Sequence, residues 1–279
     1  MTALGYREGE NIIYDFQKTN NDLTAEKRIL QKFVADKVDL IFTFPTEVSL
    51  AAKAATRGTD IAVVFANANI EGVDLVDSVR EPGGNITGVR YPGPDLAIKR
   101  FEIMLEFAPQ AKRIGIPYQQ GYPIIASQLD VLYTAVKSSG IALVEVPAKD
   151  AADLQTALNA RAQSGGVGID AMLMIADPLA VNPDAFAVLG EFAAQHKIPC
   201  GGALMTVGGY RTVFGVSTDN AAVGQQAASL VDKILKGAPA GSIPVISAES
   251  VLKIGYRAAQ QLGLPVSEGL LSKADEIIR

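Results

Sequence analysis

Polar and aromatic side chains stand at or shortly after the ends of several short apolar runs, where the strands of a sheet would finish. The set comprises Phe44, Thr46, Asn67, Asn69, Tyr91, Tyr118, Gln119, Tyr122, Ser127, Asp177 and Asp219, together with Ala203, which is small enough to let a ligand approach the backbone. Tyrosine rings beside amides suit a flat ligand, because the ligand can stack on the ring while its edge forms hydrogen bonds. Asp177 is the strongest candidate to pair with a ligand ammonium group. These residue types predict a site for a small molecule with polar ends and a flat body.

Each of these residues also has an ordinary structural role, and the sequence leaves both roles open. Thr46 can bind a carboxylate at a helix start, where backbone N–H groups attract anions, or it can cap that helix. Asp177 can cap a helix or form a turn, and Asp219 is favoured as the cap of a predicted helix at 220–236. Arg90 can clamp a carboxylate or form a salt bridge. The tyrosines can equally lie at an edge with their hydroxyl groups in water.

The elements that must position these residues follow a regular rhythm of apolar runs and amphipathic stretches. The runs are "VDLIFTF" (38–44), "DIAVVFANA" (60–68), "RIGIPY" (113–118), "IALVEVPA" (141–148), "DAMLMIAD" (170–177) and "IPCGGAL" (198–204). Continuous apolar runs are typical of strands buried on both faces. The amphipathic stretches between them, "EGVDLVDSV" (71–79) included, predict helices. The alternation predicts an α/β fold with a parallel sheet, in which ligands bind beyond the carboxyl ends of the strands.

The alternation breaks at three extended passages. They are "REPGGNITGVRYPGPD" (80–95), "TVFGVSTDNAAVGQQAASLVDKILKG" (212–237) and "APAGSIPVISAESVLKIG" (238–255). Three such passages between two groups of βα units predict a chain that crosses three times between two lobes. A single flavodoxin-like domain would need none of them.

The composition excludes several classes of function. With one Cys and one His, the chain has too few soft ligands for a zinc site and no pair for an internal disulfide. A net charge of −5 without a long basic run argues against a nucleic-acid partner. No apolar run reaches the roughly 18 residues of a membrane span. Since no Walker A sequence, dinucleotide loop or hydrolase motif occurs, we expect no cofactor, no metal and no catalytic residues.

Five segments, taken in order, resemble a known family. They are "LGYREGENI", "PGGNITGV", "RIGIPYQQG", "VSTDNAAVGQQAA…ILKG" and "GYRAAQQLGL". The chain is similar, from Leu4 to about Pro265, to the extracytoplasmic substrate-binding proteins of ABC transporters, in the family that includes tryptophan- and tyrosine-uptake receptors. Each segment alone is a short turn-and-helix signature, whereas the ordered set is fairly specific.

The resemblance implies a type I periplasmic-binding fold, with two doubly wound parallel-sheet lobes that close on a ligand. Lobe I would hold residues 1–86 and 216–242, and lobe II would hold 88–214 and 243–279. A three-strand hinge would join the lobes near Thr87–Tyr91, Phe214–Ser217 and Val245–Ser247.

The function implied by the resemblance is capture of a small molecule and its delivery to an ABC permease, without catalysis. The family's usual ligand is an aromatic amino acid, and a related aromatic or carboxylate compound is the competitor. Two other functions stay open: a ligand-sensing receptor of the same fold that feeds a signalling partner, and a small-molecule enzyme on a doubly wound fold. The scarcity of His and Cys argues against the enzyme.

Two positions depart from the family pattern. Thr-Asp-Pro usually stands where this chain has Asn67, Ala68 and Asn69, which are either pocket amides or turn residues. Asn-Ser usually stands where this chain has Ile124 and Ile125, and that change speaks against a free amino acid as ligand.

The segment "LGYREGENIIYDF" (4–16) is typical of the tail of a helix, a glycine turn, a polar loop and a strand. In the family the same motif closes the first helix, which follows a first strand and a secretion signal. We therefore expect a truncated chain whose full-length form is periplasmic, or extracellular and membrane-anchored. The missing strand would leave an unpaired edge in lobe I.

Overall fold

The computed structural model describes residues 1–19, 22–163, 166–207 and 210–279. The chain divides into two compact units and passes between them three times. Unit 1 comprises Met1–Pro92 and Thr218–Glu249, and unit 2 comprises Gly93–Ser217 and Ser250–Arg279. The lobe boundaries given above stay a prediction.

Helices and strands are numbered in chain order. The helices are α1 (Leu23–Ala35), α2 (Thr46–Ala55), α3 (Gly93–Phe107), α4 (Ile125–Val136), α5 (Ala151–Gln163), α6 (Pro178–Val181), α7 (Pro183–His196), α8 (Asn220–Leu235), α9 (Tyr256–Gln261) and α10 (Glu268–Lys273). The strands are β1 (Leu40–Thr43), β2 (Ala62–Ala68), β3 (Ile86–Arg90), β4 (Arg113–Gln119), β5 (Ala142–Ala148), β6 (Ala171–Met174), β7 (Cys200–Gly202), β8 (Thr206–Val207), β9 (Tyr210–Arg211), β10 (Phe214–Thr218), β11 (Ile246–Ser247), β12 (Ser250–Gly255) and β13 (Glu276–Ile278). Short 3-10 helices span Thr2–Leu4 and Ala240–Ser242.

Unit 1 is built on a four-stranded parallel sheet in the order β1-β2-β3-β11. Strand β2 is buried on both faces of the sheet. Successive side chains of a strand point to opposite faces, so its residues pack in two different clusters. Val63 and Phe65 pack in one core cluster with residues of α1 and α2, and Val64 and Ala66 pack in another with residues of α8. Helices on both faces explain why the run is continuously apolar, and the predicted parallel α/β fold is confirmed.

Unit 2 is built on a seven-stranded sheet in the order β13-β12-β10-β7-β6-β4-β5. The pairs β4–β5, β4–β6, β6–β7, β7–β10 and β12–β13 are parallel. One core cluster holds Leu154 of α5 and Phe186 of α7 with Met172 and Met174 of β6. In such a sheet the polar residues that follow β4, β6 and β7 emerge at one edge, since parallel strands end on the same side.

The helix predicted for "EGVDLVDSV" is wrong, because residues 71–79 form turns and bends. Gly72 has a left-handed φ of 78°, which interrupts a helix, and the carbonyl oxygen of Asp74 accepts from Lys53 Nζ at 3.0 Å. The apolar residues are nevertheless buried, since Leu75 is fully enclosed in the core beneath α2. Their pattern reflected burial of the segment and not a helical period.

The strand predicted at the end of "LGYREGENIIYDF" is also wrong. The 3-10 turn ends at Gly5, which has a φ of 89°, but residues 13–19 pair with no described strand. A strand forms only where a neighbouring strand completes its hydrogen bonds. The edge strand β1 does not pair with residues 13–19, so they stay without a strand partner among the described residues. Ile13 and Phe16 are 89% and 87% exposed as a result.

Candidate functional site

The carboxyl edge of the unit 1 sheet brings Thr46 and Asn69 together. Both residues are buried, and Thr46 Oγ1 accepts the backbone N–H of Asn69 at 3.0 Å. The N-cap position of α2 belongs to Pro45, so the capping role considered for Thr46 is wrong. Thr46 instead joins the start of α2 to the segment that leaves β2. A second donor, Asn69 Nδ2, lies 3.5 Å from the same oxygen, which leaves the Thr46 hydroxyl proton able to reach an outside acceptor.

Asn67 occupies a bulge of β2 and adopts a left-handed backbone with a φ of 52°, as a turn-forming Asn can. Its side-chain oxygen accepts from Thr218 Oγ1 at 2.9 Å, and its amide nitrogen donates to Asn220 Oδ1 at 3.3 Å. The amide therefore fastens the end of β2 to the start of α8. Asp219 caps α8 by accepting from the N–H groups of Ala221 and Ala222, so its capping role is confirmed.

The remaining unit 1 candidates differ in exposure. Phe44 is 49% exposed, whereas Tyr91 is 8% exposed. Arg90 forms the salt bridge that the sequence left open: its partner is Glu71, and its Nε donates to Ser247 Oγ at 2.8 Å. A guanidinium already held by a carboxylate and a hydroxyl group is a weaker candidate for a carboxylate clamp.

Asp177 lies at the carboxyl edge of the unit 2 sheet, just past β6, and only 7% of the residue is exposed. Oδ1 accepts from the Ala180 N–H at 2.8 Å, so Asp177 caps α6, and Oδ2 accepts from the N–H of Gln119 at the end of β4. Burial raises the pKa of this carboxyl to about 6, although the two backbone donors act in the opposite direction. Within the described ranges no Lys or Arg forms an ion pair with it.

This arrangement leaves the Asp177 carboxylate short of a positive partner. An ionised carboxylate has about four acceptor positions, of which two are occupied by backbone N–H groups. A buried anion without a cation is costly, and an ammonium group from outside would offset that cost. The geometry therefore fits both roles that the sequence proposed for Asp177.

Tyr118 lies at the end of β4, but its hydroxyl group donates to the carboxylate of Glu145 on the neighbouring strand β5. Tyr133 of α4 donates to the other oxygen of the same carboxylate. Partial burial, followed by the bond to Glu145, raises the pKa of Tyr118 to about 12. The ring of Tyr118 stays a candidate for stacking, whereas its hydroxyl group is committed to the sheet edge.

The other unit 2 candidates are tied to the backbone around them. Ser127 Oγ donates to the Ile124 carbonyl oxygen at 3.1 Å, and the Ala203 N–H donates to the Met174 carbonyl oxygen at 2.9 Å. The Tyr122 N–H donates to the Gln119 carbonyl oxygen at 3.3 Å, which folds the loop after β4.

Sequence reasoning missed Gln128, which is fully buried on α4. Its side-chain amide bonds to both the N–H and the carbonyl oxygen of Ala176, the residue before Asp177. A signal was present in the sequence: Gln128 stands on the apolar face of the helix with Ile125, Leu129 and Leu132. A polar residue at such a position must find a buried partner.

Two negative findings apply to residues 1–19, 22–163, 166–207 and 210–279. No group of three or more His, Cys, Asp and Glu side chains is placed to hold a metal ion. No helix in the same ranges has the length and apolar character that crossing a bilayer requires.

Comparison with known proteins identifies relatives for nearly the whole chain. A family model for ABC transporter substrate binding proteins matches residues 1–278. The tyrosine-binding protein of Clostridioides difficile is 31% identical over 252 residues, which are 86% of this chain and 67% of that protein.

Two solved structures are similar to this chain over most of its length. A conserved domain protein from Vibrio cholerae is 29% identical with a TM-score of 0.84, covering 99% of this chain and 91% of its own. An ABC domain from Streptococcus pneumoniae in complex with L-Trp is 22% identical with a TM-score of 0.79, covering 96% and 90%. The second likeness shows a shared fold.

Proposed function

This chain belongs to the ABC transporter substrate-binding protein family, and we propose that its ligand is L-tyrosine or a closely related aromatic amino acid. The family model and the tyrosine-binding relative confirm the resemblance recognised in the sequence. The family is extracytoplasmic and consists of binding proteins. Delivery of the ligand to an ABC permease is part of the same proposal. The relative at 31% identity, which is named for tyrosine, supports the choice of ligand.

The observation that carries the proposal is the buried Asp177 carboxylate with two backbone donors and no basic partner among the described residues. An amino acid supplies the missing charge through its ammonium group. A charge-assisted hydrogen bond in a buried setting is among the stronger polar contacts. A deamino analogue of the same shape lacks this contact and would bind less tightly.

Unit 1, considered by itself, carries groups at its own sheet edge that suit parts of an aromatic amino acid. Phe44 is an exposed aromatic residue that could stack on an aromatic side chain, and the Thr46 hydroxyl proton is available to a ligand carboxylate. The isoleucines that replace the family's Asn-Ser are 4% and 5% exposed, so Ile124 and Ile125 belong to the packing of α4. Their presence therefore does not oppose an amino-acid ligand.

Calorimetric titration of the purified chain tests the proposal with L-tyrosine, L-tryptophan, L-phenylalanine and 3-(4-hydroxyphenyl)propionate. We expect an aromatic amino acid to bind and the deamino analogue to bind at least about tenfold more weakly, which corresponds to about 1.4 kcal/mol. Asp177→Asn should remove that difference. The matched control is Asp184→Asn, an exposed acid in the first turn of α7, which should keep it. If none of the three amino acids binds, the proposed ligand is wrong.

Delivery needs a separate test. When the cognate permease and ATPase are reconstituted in vesicles, the ligand-loaded protein should stimulate ATP hydrolysis, and the ligand alone should not. Binding without any stimulation would separate capture from transport and would favour a sensory role.

A further inference from the structure

We propose that Gln128 is a positioning residue for ligand binding, acting through Ala176 to fix the place of the Asp177 carboxylate. The inference rests on the proposed function, because it assigns a supporting role within the same site. It adds a residue on α4, a helix that the candidate set reached only through Ser127.

The contact between Gln128 and Ala176 resembles one rung of a β-ladder. Gln128 Oε1 accepts from the Ala176 N–H at 3.1 Å, and Nε2 donates to the Ala176 carbonyl oxygen at 2.9 Å. Nε2 also lies 3.3 Å from the Ile124 carbonyl oxygen, which holds the amide against its own helix. A planar amide bound on both sides of one residue restricts that residue in position and in rotation.

Strand β6 ends at Met174, so Ala176 lies beyond the regular pairing of the sheet. The side chain of Gln128 takes the place that a neighbouring strand would hold. Asp177 follows directly with an extended backbone, at a φ of −159°, and its carboxylate then reaches Gln119 and Ala180. The end of β6, the end of β4 and the start of α6 therefore meet at this carboxylate, and α4 holds the residue that precedes it.

Precision at this point is of more consequence for binding than for folding. Ala176 is only partly buried, so water can replace the lost partner of its N–H and carbonyl groups when Gln128 is removed. Water cannot compensate in this way for a displaced Asp177 carboxylate, because the carboxylate binds the ligand ammonium group strongly only when it is held in the right position. Loss of Gln128 should consequently weaken the ammonium contact more than it weakens the fold.

The test compares Gln128→Met, which keeps the volume and removes both hydrogen bonds, with Gln155→Met on the exposed side of α5 as the matched control. Titration uses L-tyrosine and 3-(4-hydroxyphenyl)propionate. We expect Gln128→Met to weaken L-tyrosine binding about tenfold or more, as a misplaced group does, and to change the binding of the deamino analogue much less. The control should change neither.

A double-mutant cycle separates positioning from packing. In the Asp177→Asn background, Gln128→Met should cause little further loss of L-tyrosine affinity, since the group it positions is already gone. If both ligands weaken equally, or if only the melting temperature falls, Gln128 is a packing residue and the inference is wrong. Should Gln128→Met not fold, Gln128→Asn keeps the amide but shortens its reach, and the same selective loss is expected.

Failure of the inference is distinguishable from failure of the proposed function. If the unmodified chain binds no amino acid, or if Asp177→Asn leaves L-tyrosine binding unchanged, the proposed role of Asp177 fails first. If Asp177→Asn weakens binding and Gln128→Met does not, only the positioning role of Gln128 is overturned.

Discussion

The hydroxyl oxygen of Thr46 accepts the backbone N–H of Asn69 at 3.0 Å, across 23 positions of sequence, and both residues are buried. The bond ties the first turn of α2 to the segment that leaves β2. A residue whose sequence context suggested a helix cap therefore acts as a link between two strand ends of one sheet.

Replacement of Thr46 by Val should lower the free energy of unfolding by about 1–3 kcal/mol, because the Asn69 N–H would lose its partner in a buried place. Thr46→Ser keeps the hydroxyl group and should cost much less. Urea denaturation of the three proteins measures the difference. Equal stability of the Val and Ser variants would show that the bond contributes little.

Ligand affinity should depend on pH through Asp177. Burial raises the pKa of this carboxyl to about 6 in the unliganded protein, and only the ionised form attracts an ammonium group. L-Tyrosine affinity should therefore fall as the pH drops below about 6, by up to about tenfold per pH unit, since one pKa unit is about 1.4 kcal/mol. Titration calorimetry across this range measures it. Asp177→Asn should flatten the dependence, and a wild-type affinity that is constant across the same range would refute it.

The stability of the unliganded chain should depend on pH in the opposite sense. The pKa of Asp177 is raised from 3.8 to about 6 by folding, so between these values the folded state binds the extra proton. Stability then falls as the pH rises through this window, by up to about 3 kcal/mol, and the loss is complete above about pH 6.

Urea unfolding of wild type and Asp177→Asn, measured from about pH 4 to about pH 7, checks the sign. The stability of the variant relative to wild type should increase as the pH rises. Parallel curves for the two proteins would mean that folding does not shift this carboxyl.

The Tyr118 hydroxyl group should ionise only at high pH. Its pKa is raised to about 12, first by partial burial and second by the bond to Glu145. Glu145→Gln should lower this pKa while leaving it above the ordinary value of 10, because burial persists. Tyrosinate absorbance, taken as the difference from Tyr118→Phe, follows the titration. Glu102→Gln, an exposed acid on α3, is the control and should leave the curve unchanged.

Two glycines should respond in opposite directions to alanine. Gly202 in β7 has a φ of 145°, and a Cβ there would lie 2.1 Å from the Met174 carbonyl oxygen, so Gly202→Ala should severely destabilise unit 2. Gly224 on α8 is exposed, and a Cβ there would have nothing within 4 Å. Gly224→Ala should stabilise the chain by about 0.5–1 kcal/mol, the usual gain from a helix-favouring residue. Thermal unfolding compares the two, and similar shifts would contradict the steric argument.

Much of the fold was predictable because its information is local. Continuous apolar runs marked strands buried on both faces, as the alternate packing of Val63 and Val64 shows. The cap of α8 by Asp219 was readable from neighbouring residues, since a cap and its helix are adjacent in sequence. The same reliance on local information made the prediction for residues 71–79 wrong, because local apolar spacing does not distinguish a helix from a buried loop.

The sequence by itself determined the parallel α/β architecture and the family, because these follow from periodicity and from the order of short segments. Only the tertiary structure decided which partner each polar side chain at the strand ends has. Gln128 meets Ala176 across 48 positions, and Tyr118 meets Glu145 across 27. Such partners are chosen by strand order and helix packing, and a burial pattern carries no record of which distant group satisfies a buried polar atom.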